Sequence, residues 1–336
     1  MLNYDVCIFT EGGSKAGLGH ITRCLALYDE LERRGLNSLF IINAESTVGE
    51  VLGKRNYIID RWIENWPDYF SEKNSFEKSC IVDSYLADEA VYSGIQRKSV
   101  KALFLDDTNR IDYPEGIIVN PSIFGRDETY VRKAGRQYLT GPNYVILRRE
   151  FQQSDHRRVK NFPSDILIIL GGSDVKGLTP EIIRALNKQE FDGLKKHVVI
   201  GKAFTNIKDI EGIAKACQNI KLYYNLDAAQ LYKLMRKCDL AVTAAGQTTN
   251  ELIAARLPFL CIQIADNQKP NMEGLLFEGL IYDYIDSDTK KFNLIRFEEL
   301  LRDLMEGKAR KRIAAKMDKF DLSRGVKNII DCLLSK

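Results

Sequence analysis

The chain has 336 residues, 45 % of them hydrophobic and 28 % charged, enough for two domains of about 150 residues each. A formal charge of +3 is too small to argue for a polyanionic partner, so nucleic acid is not expected. Seven scattered cysteines without a C-x-x-C pair disfavour a zinc site or a disulfide framework and fit a reducing cytoplasm, and no run of about 18 apolar residues argues for stable membrane insertion.

Short apolar runs alternate with longer helical patterns, the form that βαβ units of a parallel sheet take in sequence. In the first half "YDVCIFT", "NSLFIIN", "SCIVDSY", "KALFLDD" and "GIIVNP" read as strands. After the first of them, "EGGSKAGLGHITRCLALYDELERRG" passes through glycines 12, 13, 17 and 19 into a helix whose apolar face carries Ile21, Leu25, Tyr28 and Leu31. His20, one of three histidines, therefore stands at a helix start, where unpaired backbone N–H groups and the positive dipole end suit an anion. The dipole also favours a neutral imidazole, which is able to accept a proton. The spacing matches neither a nucleotide P-loop nor a clean G-x-G-x-x-G, and the glycines read equally well as a plain strand-to-helix turn. Trp62 and Trp66, in "DRWIENWPDYF", are the one local hint of an apolar surface patch. Arg126, Arg132, Lys133 and Arg136 form a basic cluster that reads either as a guide for an anionic ligand or as a solvated face.

The polar, basic stretch "FQQSDHRRVKNFPSD" lacks an apolar face and places a linker at 151–162, between domains 1–150 and 163–336. In the second half the strands are "DILIILGG", "KHVVIG", "IKLYYN", "CDLAVTAA" and "FLCIQI". Gly171, Gly172, Ser173 and Asp174 form a turn before a helix with Pro180 in its first turn, again a place for an anion. Ala244, Ala245 and Gly246 form a second small-residue turn before a helix carrying Thr248, Thr249, Asn250 and Glu251, and a carboxylate one turn into that helix suits a ribose diol. Its alternative reading is an acid favoured by the helix dipole. Asp266, Asn267, Gln268 and Asn271 then gather at a strand's C-terminal end, where open α/β sheets bind ligands. His156 and His197 read as structural. Residues 308–334 read as two amphipathic helices, the last of which has the option of packing back on the N-terminal domain, and "GKARKRIAAK" as a basic helix face without aromatic anchors.

The segment "AGQTTNELIAARLPFLCIQIADNQKPN" resembles the UDP-binding half of the GT-B family that includes the N-acetylglucosaminyltransferase of lipid II synthesis. The ordered series "GLGHITRCLAL", "IVDSY", "FLDD", "GPNYVILRREF", "LGGSD" and "TTNE" resembles the UDP-sugar hydrolases of pseudaminic acid biosynthesis, relatives that use water as acceptor. The resemblance implies an α/β, GT-B-like fold, two Rossmann-like parallel-sheet domains facing across a cleft. It implies His20 as the base that activates water, Tyr85 near the sugar with Asp83 beside it, and Asp106 and Asp107 as the paired acids after the fourth strand. Tyr144, Arg148 and Glu150 match the segment entering the linker, Glu251 the ribose reader, and Gln268 the donor contact. Gly17, Gly19, Gly171, Gly172, Ser173, Asp174, Gly246, Thr248, Thr249 and Asn250 complete the expected substrate site. Phe9 and Glu11 stand where the family has an arginine and an aspartate, which puts the sugar pocket apart from the family pattern.

The expected reaction is hydrolysis of a UDP-linked, acetamido-deoxy sugar by inversion at the anomeric carbon, in the biosynthesis of a nonulosonic acid or surface glycan. No cofactor is expected, and a metal at Asp106–Asp107 is disfavoured because adjacent residues at a strand end point to opposite sides. A glycosyltransferase of the same architecture, with a sugar or lipid acceptor in place of water, is the rival reading, and a nucleotide-sugar sensor is the third.

Overall fold

In a computed structural model, residues 4–13, 19–44, 48–69, 78–125, 130–153, 156–217, 219–287 and 291–335 are described. The chain divides into two compact units, Met1–Arg149 with Leu322–Lys336, and Glu150–Asp321. The first contains β1 (Val6–Glu11), α1 (Gly19–Arg33), β2 (Ser38–Asn43), α2 (Gly49–Leu52), β3 (Tyr57–Ile59), α3 (Trp62–Tyr69), β4 (Ser79–Asp83), α4 (Glu89–Lys98), β5 (Lys101–Leu105), β6 (Gly116–Val119) and β7 (Arg136–Leu139). All neighbours pair in parallel, in the order β3-β2-β1-β4-β5-β6-β7.

Alternation along β1 divides the first unit's core in two. Val6 and Ile8 face a cluster under α1 that includes Leu27, Tyr28 and Leu31, while Cys7 and Phe9 face a second cluster with Trp62, Tyr92 and Phe104. Phe9 is fully buried, its ring edge-on to Trp62 at 5.4 Å. Trp62 is fully buried too and donates its indole N–H to the Thr10 carbonyl at 2.7 Å, so this residue offers no surface patch. β3 and β7, edge strands too short and mixed for the period-2 pattern to reveal, were not among the strands expected.

The second unit contains β8 (Asp165–Ile169), α5 (Leu178–Leu186), β9 (Lys195–Ile200), α6 (Ile207–Ala216), β10 (Ile220–Tyr224), α7 (Ala228–Lys237), β11 (Leu240–Ala244), α8 (Thr248–Ala254), β12 (Phe259–Gln263), α9 (Lys269–Phe277), β13 (Ile285–Asp286), α10 (Leu294–Met305) and α11 (Gly307–Met317). Its six strands are again parallel, in the order β10-β9-β8-β11-β12-β13. The segment expected as a linker is instead packed into this unit. Phe151 is buried with its ring edge-on to Tyr232 at 5.3 Å, and the Arg157 guanidinium donates to the carbonyls of Met235, Cys238 (2.5 Å) and Ala255 (3.1 Å), at the C-terminal ends of α7 and α8. Polar composition misled here because these donors are spent on helix ends. Arg310 of α11, read as part of a basic face, is likewise buried and donates to the Leu304, Met305, Lys160 and Asn161 carbonyls.

The final helix, α12 (Gly325–Leu334), belongs to the first unit. Its buried face, Val326, Ile329, Ile330 and Leu333, completes the cluster under α1, and Arg34 reaches across to Asp331 at 2.6 Å. Among the described residues no helix is long and apolar enough to cross a membrane. Gly325 makes a very close approach: a Cβ there would lie 1.9 Å from the Val145 carbonyl oxygen. Gly325→Ala should therefore cost about 1–3 kcal/mol through overpacking, read as a lower urea midpoint, whereas Gly19→Ala, with nothing within 4 Å of its Cβ, should not show this overpacking loss.

Candidate active site

In both sheets the strand order reverses between two neighbours, β1 and β4 in the first unit and β8 and β11 in the second. The crevice outside the C-terminal ends of such a pair is where open α/β sheets receive ligands, because the connections leave in opposite directions and open a gap. Asp83 ends β4 and Glu11 ends β1, with Thr10 and Asp83 in register.

α1 runs over that crevice. His20, Arg23 and Cys24 lie at i, i+3 and i+4, on the side of the helix that continues into buried Leu27 and Leu31. His20 Nδ1 lies 2.8 Å from Asp83 Oδ1. Arg23 Nε donates to Asp83 Oδ2 at 2.6 Å, Nη2 to Asp83 Oδ1 at 2.5 Å, and Nη1 to Asp107 Oδ2 at 2.7 Å. The Tyr85 hydroxyl donates to Asp107 Oδ1 at 2.6 Å, and the Tyr85 ring stands edge-on to the His20 ring at 4.5 Å. Glu11, 2 % exposed, accepts from the Ser84 hydroxyl and from the Tyr85 amide at 2.8 Å, which fixes the turn that carries Tyr85.

The electrostatics follow from burial. Asp83 is wholly buried, which alone would raise its pKa, but the charge and hydrogen bonds of Arg23, with His20 in addition, hold it below the usual carboxylate range. Asp107 is lowered in the same sense: burial raises it, and Arg23 and the Tyr85 hydroxyl outweigh that. Tyr85 is raised by burial and by Asp107, so its phenol keeps its proton, and Cys24 is raised by burial and Asp83. An ionised Asp83 has only acceptor sites to offer His20 and lies nearer to Nδ1 (2.8 Å) than the Arg23 Nη2 donor does (3.1 Å), an arrangement that favours the hydrogen on Nδ1 and leaves Nε2 to take up a proton.

Asp106 and Asp107 do part company, as adjacent residues at a strand end should. Asp106 is buried and accepts from the Tyr130 hydroxyl at 2.8 Å and from the Thr108 and Asn109 amides, a loop-fixing role, while Asp107 faces Arg23 and Tyr85. Tyr144 packs on the cluster under α1 and α12, and Arg148 is half-buried in the same unit. Gly17 and Arg126 lie outside the described residues. Lys133 and Arg136 pair with Asp112 at 2.7 and 2.5 Å, which gives two members of the expected basic cluster an internal partner.

In the second unit Gly171–Gly172 follows β8 and Gly246 follows β11, one on each side of the reversal. A Cβ at any of the three would meet nothing within 4 Å, and Gly171 has φ +94°. Two residues expected to touch substrate make hydrogen bonds within the unit. Both Asp174 oxygens are engaged, Oδ1 by the Leu178 amide and Oδ2 by the Thr179 amide and the Asn206 side chain, at 2.8, 2.8 and 2.9 Å, so the carboxylate itself occupies the start of α5 that an anion was expected to fill. Thr249, 1 % exposed, donates to the Gly246 carbonyl at 2.8 Å and accepts from Asn271, which also donates to the Ala245 carbonyl at 2.9 Å; the pair braces the turn. Gln268 accepts from the Ile264 amide at 2.9 Å, Glu251 and Asn250 are buried, and Ser173 and Thr248 are half-buried. His197 bridges Asp165 at 2.7 Å and Tyr223 at 2.9 Å inside the sheet, in keeping with a structural reading.

No family model matches the chain. It is 26 % identical over 273 residues to an uncharacterized protein of Methanocaldococcus jannaschii, covering 76 % of this chain and 55 % of that protein. It is 23 % identical to the Helicobacter pylori pseudaminic acid cytidylyltransferase and UDP-2,4-diacetamido-2,4,6-trideoxy-beta-L-altropyranose hydrolase, covering 75 % of this chain and 43 % of the relative. To the Campylobacter jejuni UDP-2,4-diacetamido-2,4,6-trideoxy-beta-L-altropyranose hydrolase it is 27 % identical, covering 55 % and 65 %. The chain thus spans about half the length of the first two relatives. Among solved structures, Acinetobacter baumannii MurG superposes with a TM-score of 0.69 over 98 % of this chain and 99 % of its own at 14 % identity. The calicheamicin glycosyltransferase CalG4 gives 0.64 over 98 % and 97 % at 15 %. The fold is that of the GT-B glycosyltransferases.

Arg23 and Ser84 are the site residues that sequence reasoning passed over. Arg23 was legible: a cation three residues after His20, on a stripe that continues as Leu27 and Leu31, must find a buried anion, and "IVDSY" supplies one. Because Asp83 is held below the usual range, its stabilisation is complete above the unfolded carboxylate value of ~3.9 and is lost as pH falls below it. Urea midpoints should therefore drop more steeply from about pH 5 to about pH 3 in the wild type than in Asp83→Asn, which lacks that titration.

Proposed function

We propose that the chain belongs to sugar-nucleotide metabolism in a glycan pathway and hydrolyses a UDP-linked sugar, with His20 as the base. The observation that carries this reading is the His20–Asp83 pair at the β1/β4 reversal, a buried carboxylate holding an imidazole by Nδ1 and leaving Nε2 to act. The relatives named as UDP-sugar hydrolases support water as the acceptor.

In the proposed step a water oxygen attacks the anomeric carbon while its proton passes to His20 Nε2. The bond from that carbon to the diphosphate oxygen breaks with inversion, and UDP departs with the electron pair. Asp83 and the carboxylate-rich surroundings stabilise the imidazolium as it forms, and the Tyr85 ring restrains the His20 ring from the side. For the second unit the proposal assigns the Gly171–Gly172 and Gly246 turns to the diphosphate, Glu251 to the ribose and Gln268 to the donor. With Asp174 seated at the start of α5, the phosphate load falls on the glycine turns rather than on that helix.

The protein incubated with UDP-sugars and no acceptor should release UDP and free sugar in equal amounts. His20→Ala should lower the rate by about 10²- to 10⁴-fold while UDP binding is retained. Turnover that begins only when a sugar or lipid hydroxyl is supplied would replace hydrolysis by glycosyl transfer, and the absence of any turnover would end the reading.

A further inference from the structure

We infer that Arg23 is a positioning residue that couples His20 to Tyr85 through two carboxylates, an inference that rests on His20 being the working base. The guanidinium is 8 % exposed, and its donors divide between two acids, Nε and Nη2 on Asp83 and Nη1 on Asp107, with Nη2 also 3.1 Å from His20 Nδ1. Each acid holds one ring of the site. Asp83 Oδ1 takes the His20 Nδ1 hydrogen, Asp107 Oδ1 takes the Tyr85 hydroxyl hydrogen, and the two rings meet edge to face at 4.5 Å. Five side chains from α1, β4 and the loops after β4 and β5 thus close a loop, with Arg23 as the member that spans the acids.

Only a planar fork can do this. A lysine ammonium is a point charge on a flexible stem, and it cannot address both Asp83 oxygens along one edge while reaching Asp107 from another nitrogen. The charge pattern gives the loop a direction as well. One guanidinium against two ionised carboxylates leaves a single uncompensated negative charge, and a proton arriving on His20 cancels it. Among the described residues the other ionisable groups around the ring are Cys24 on α1, held protonated, and Glu11 on β1, which acts through Ser84 and the Tyr85 amide.

The test compares wild type, Arg23→Lys and Arg23→Gln by two readings. The first needs no substrate: long-range ¹⁵N–¹H spectra of the three imidazoles report which ring nitrogen of His20 carries hydrogen. The wild type should show the Nδ1–H form alone, and both variants a mixture. The second is the rate profile with a UDP-sugar. Arg23→Lys should lower kcat on the order of 10²-fold with little change in KM, because the base is mis-set rather than absent. Arg23→Gln, which removes the cation, should in addition move the acid limb to higher pH by about one unit, while Arg23→Lys leaves that limb in place.

Wild-type tautomer and rate profile carried unchanged into Arg23→Lys would overturn the coupling. Loss of activity in step with loss of folded protein, with the limb and the tautomer unmoved, would reduce Arg23 to a packing residue and overturn it as well. A changed tautomer in a protein that turns over no UDP-sugar would uphold the coupling and dispose of the hydrolase reading alone, so the two failures are separable.

Discussion

A carboxylate with no exposed surface dictates the arrangement of the first unit. Asp83 ends a central strand where water cannot reach it, and an uncompensated charge there would cost several kcal/mol. Its oxygens must be met by donors, and the sequence supplies them on one helix: Arg23 on both oxygens, His20 on one and the Cys24 thiol on the other, at 3.4 Å. These contacts set the rotation of α1 about its axis and its advance along the sheet, so the same bonds that satisfy the buried acid present the imidazole at the crevice. The atoms that secure the buried acid and those of the proposed chemistry are therefore one set.

The two units answer the same topological situation with opposite means. Each reverses its strand order once and gathers its candidate residues at the reversal. In the first unit the crevice is lined by charge, Asp83, Asp107 and Arg23, with Glu11 behind them. In the second it is lined by glycine turns whose missing side chains leave backbone open, braced from beneath by Thr249 and Asn271. A crevice rich in carboxylates suits proton transfer and a developing positive charge, whereas open backbone amides suit oxygen anions.

Much of this was readable before the structure. The parallel strands and the position of His20 follow from apolar periodicity and glycine placement, because central strands buried on both faces leave continuous hydrophobic runs. Phe9, flagged as a departure at the pocket, proves to be a core residue beside Trp62, since alternation turns it away from the α1 side of the sheet. Less legible was whatever depends on partners. Asp174 reads as a ligand residue until the Leu178 and Thr179 amides are seen to occupy it, and the 151–162 stretch reads as a linker until Arg157 is found on the ends of two helices. A polar side chain in sequence does not announce whether its hydrogen bonds go to backbone or to a ligand. Edge strands such as β3, with every residue partly exposed, carry no period to detect.

Two crossings of the chain, between Arg149 and Glu150 and between Asp321 and Leu322, make the second unit an insertion within the first. A ribosome therefore delivers Glu150–Asp321 as an uninterrupted whole, while the sheet of the first unit waits, its face under α1 incompletely covered, for Val326, Ile329, Ile330 and Leu333 to emerge. The sheet beneath α1 is in this sense completed only after the second unit has been made, and its apolar face needs shelter in the interval.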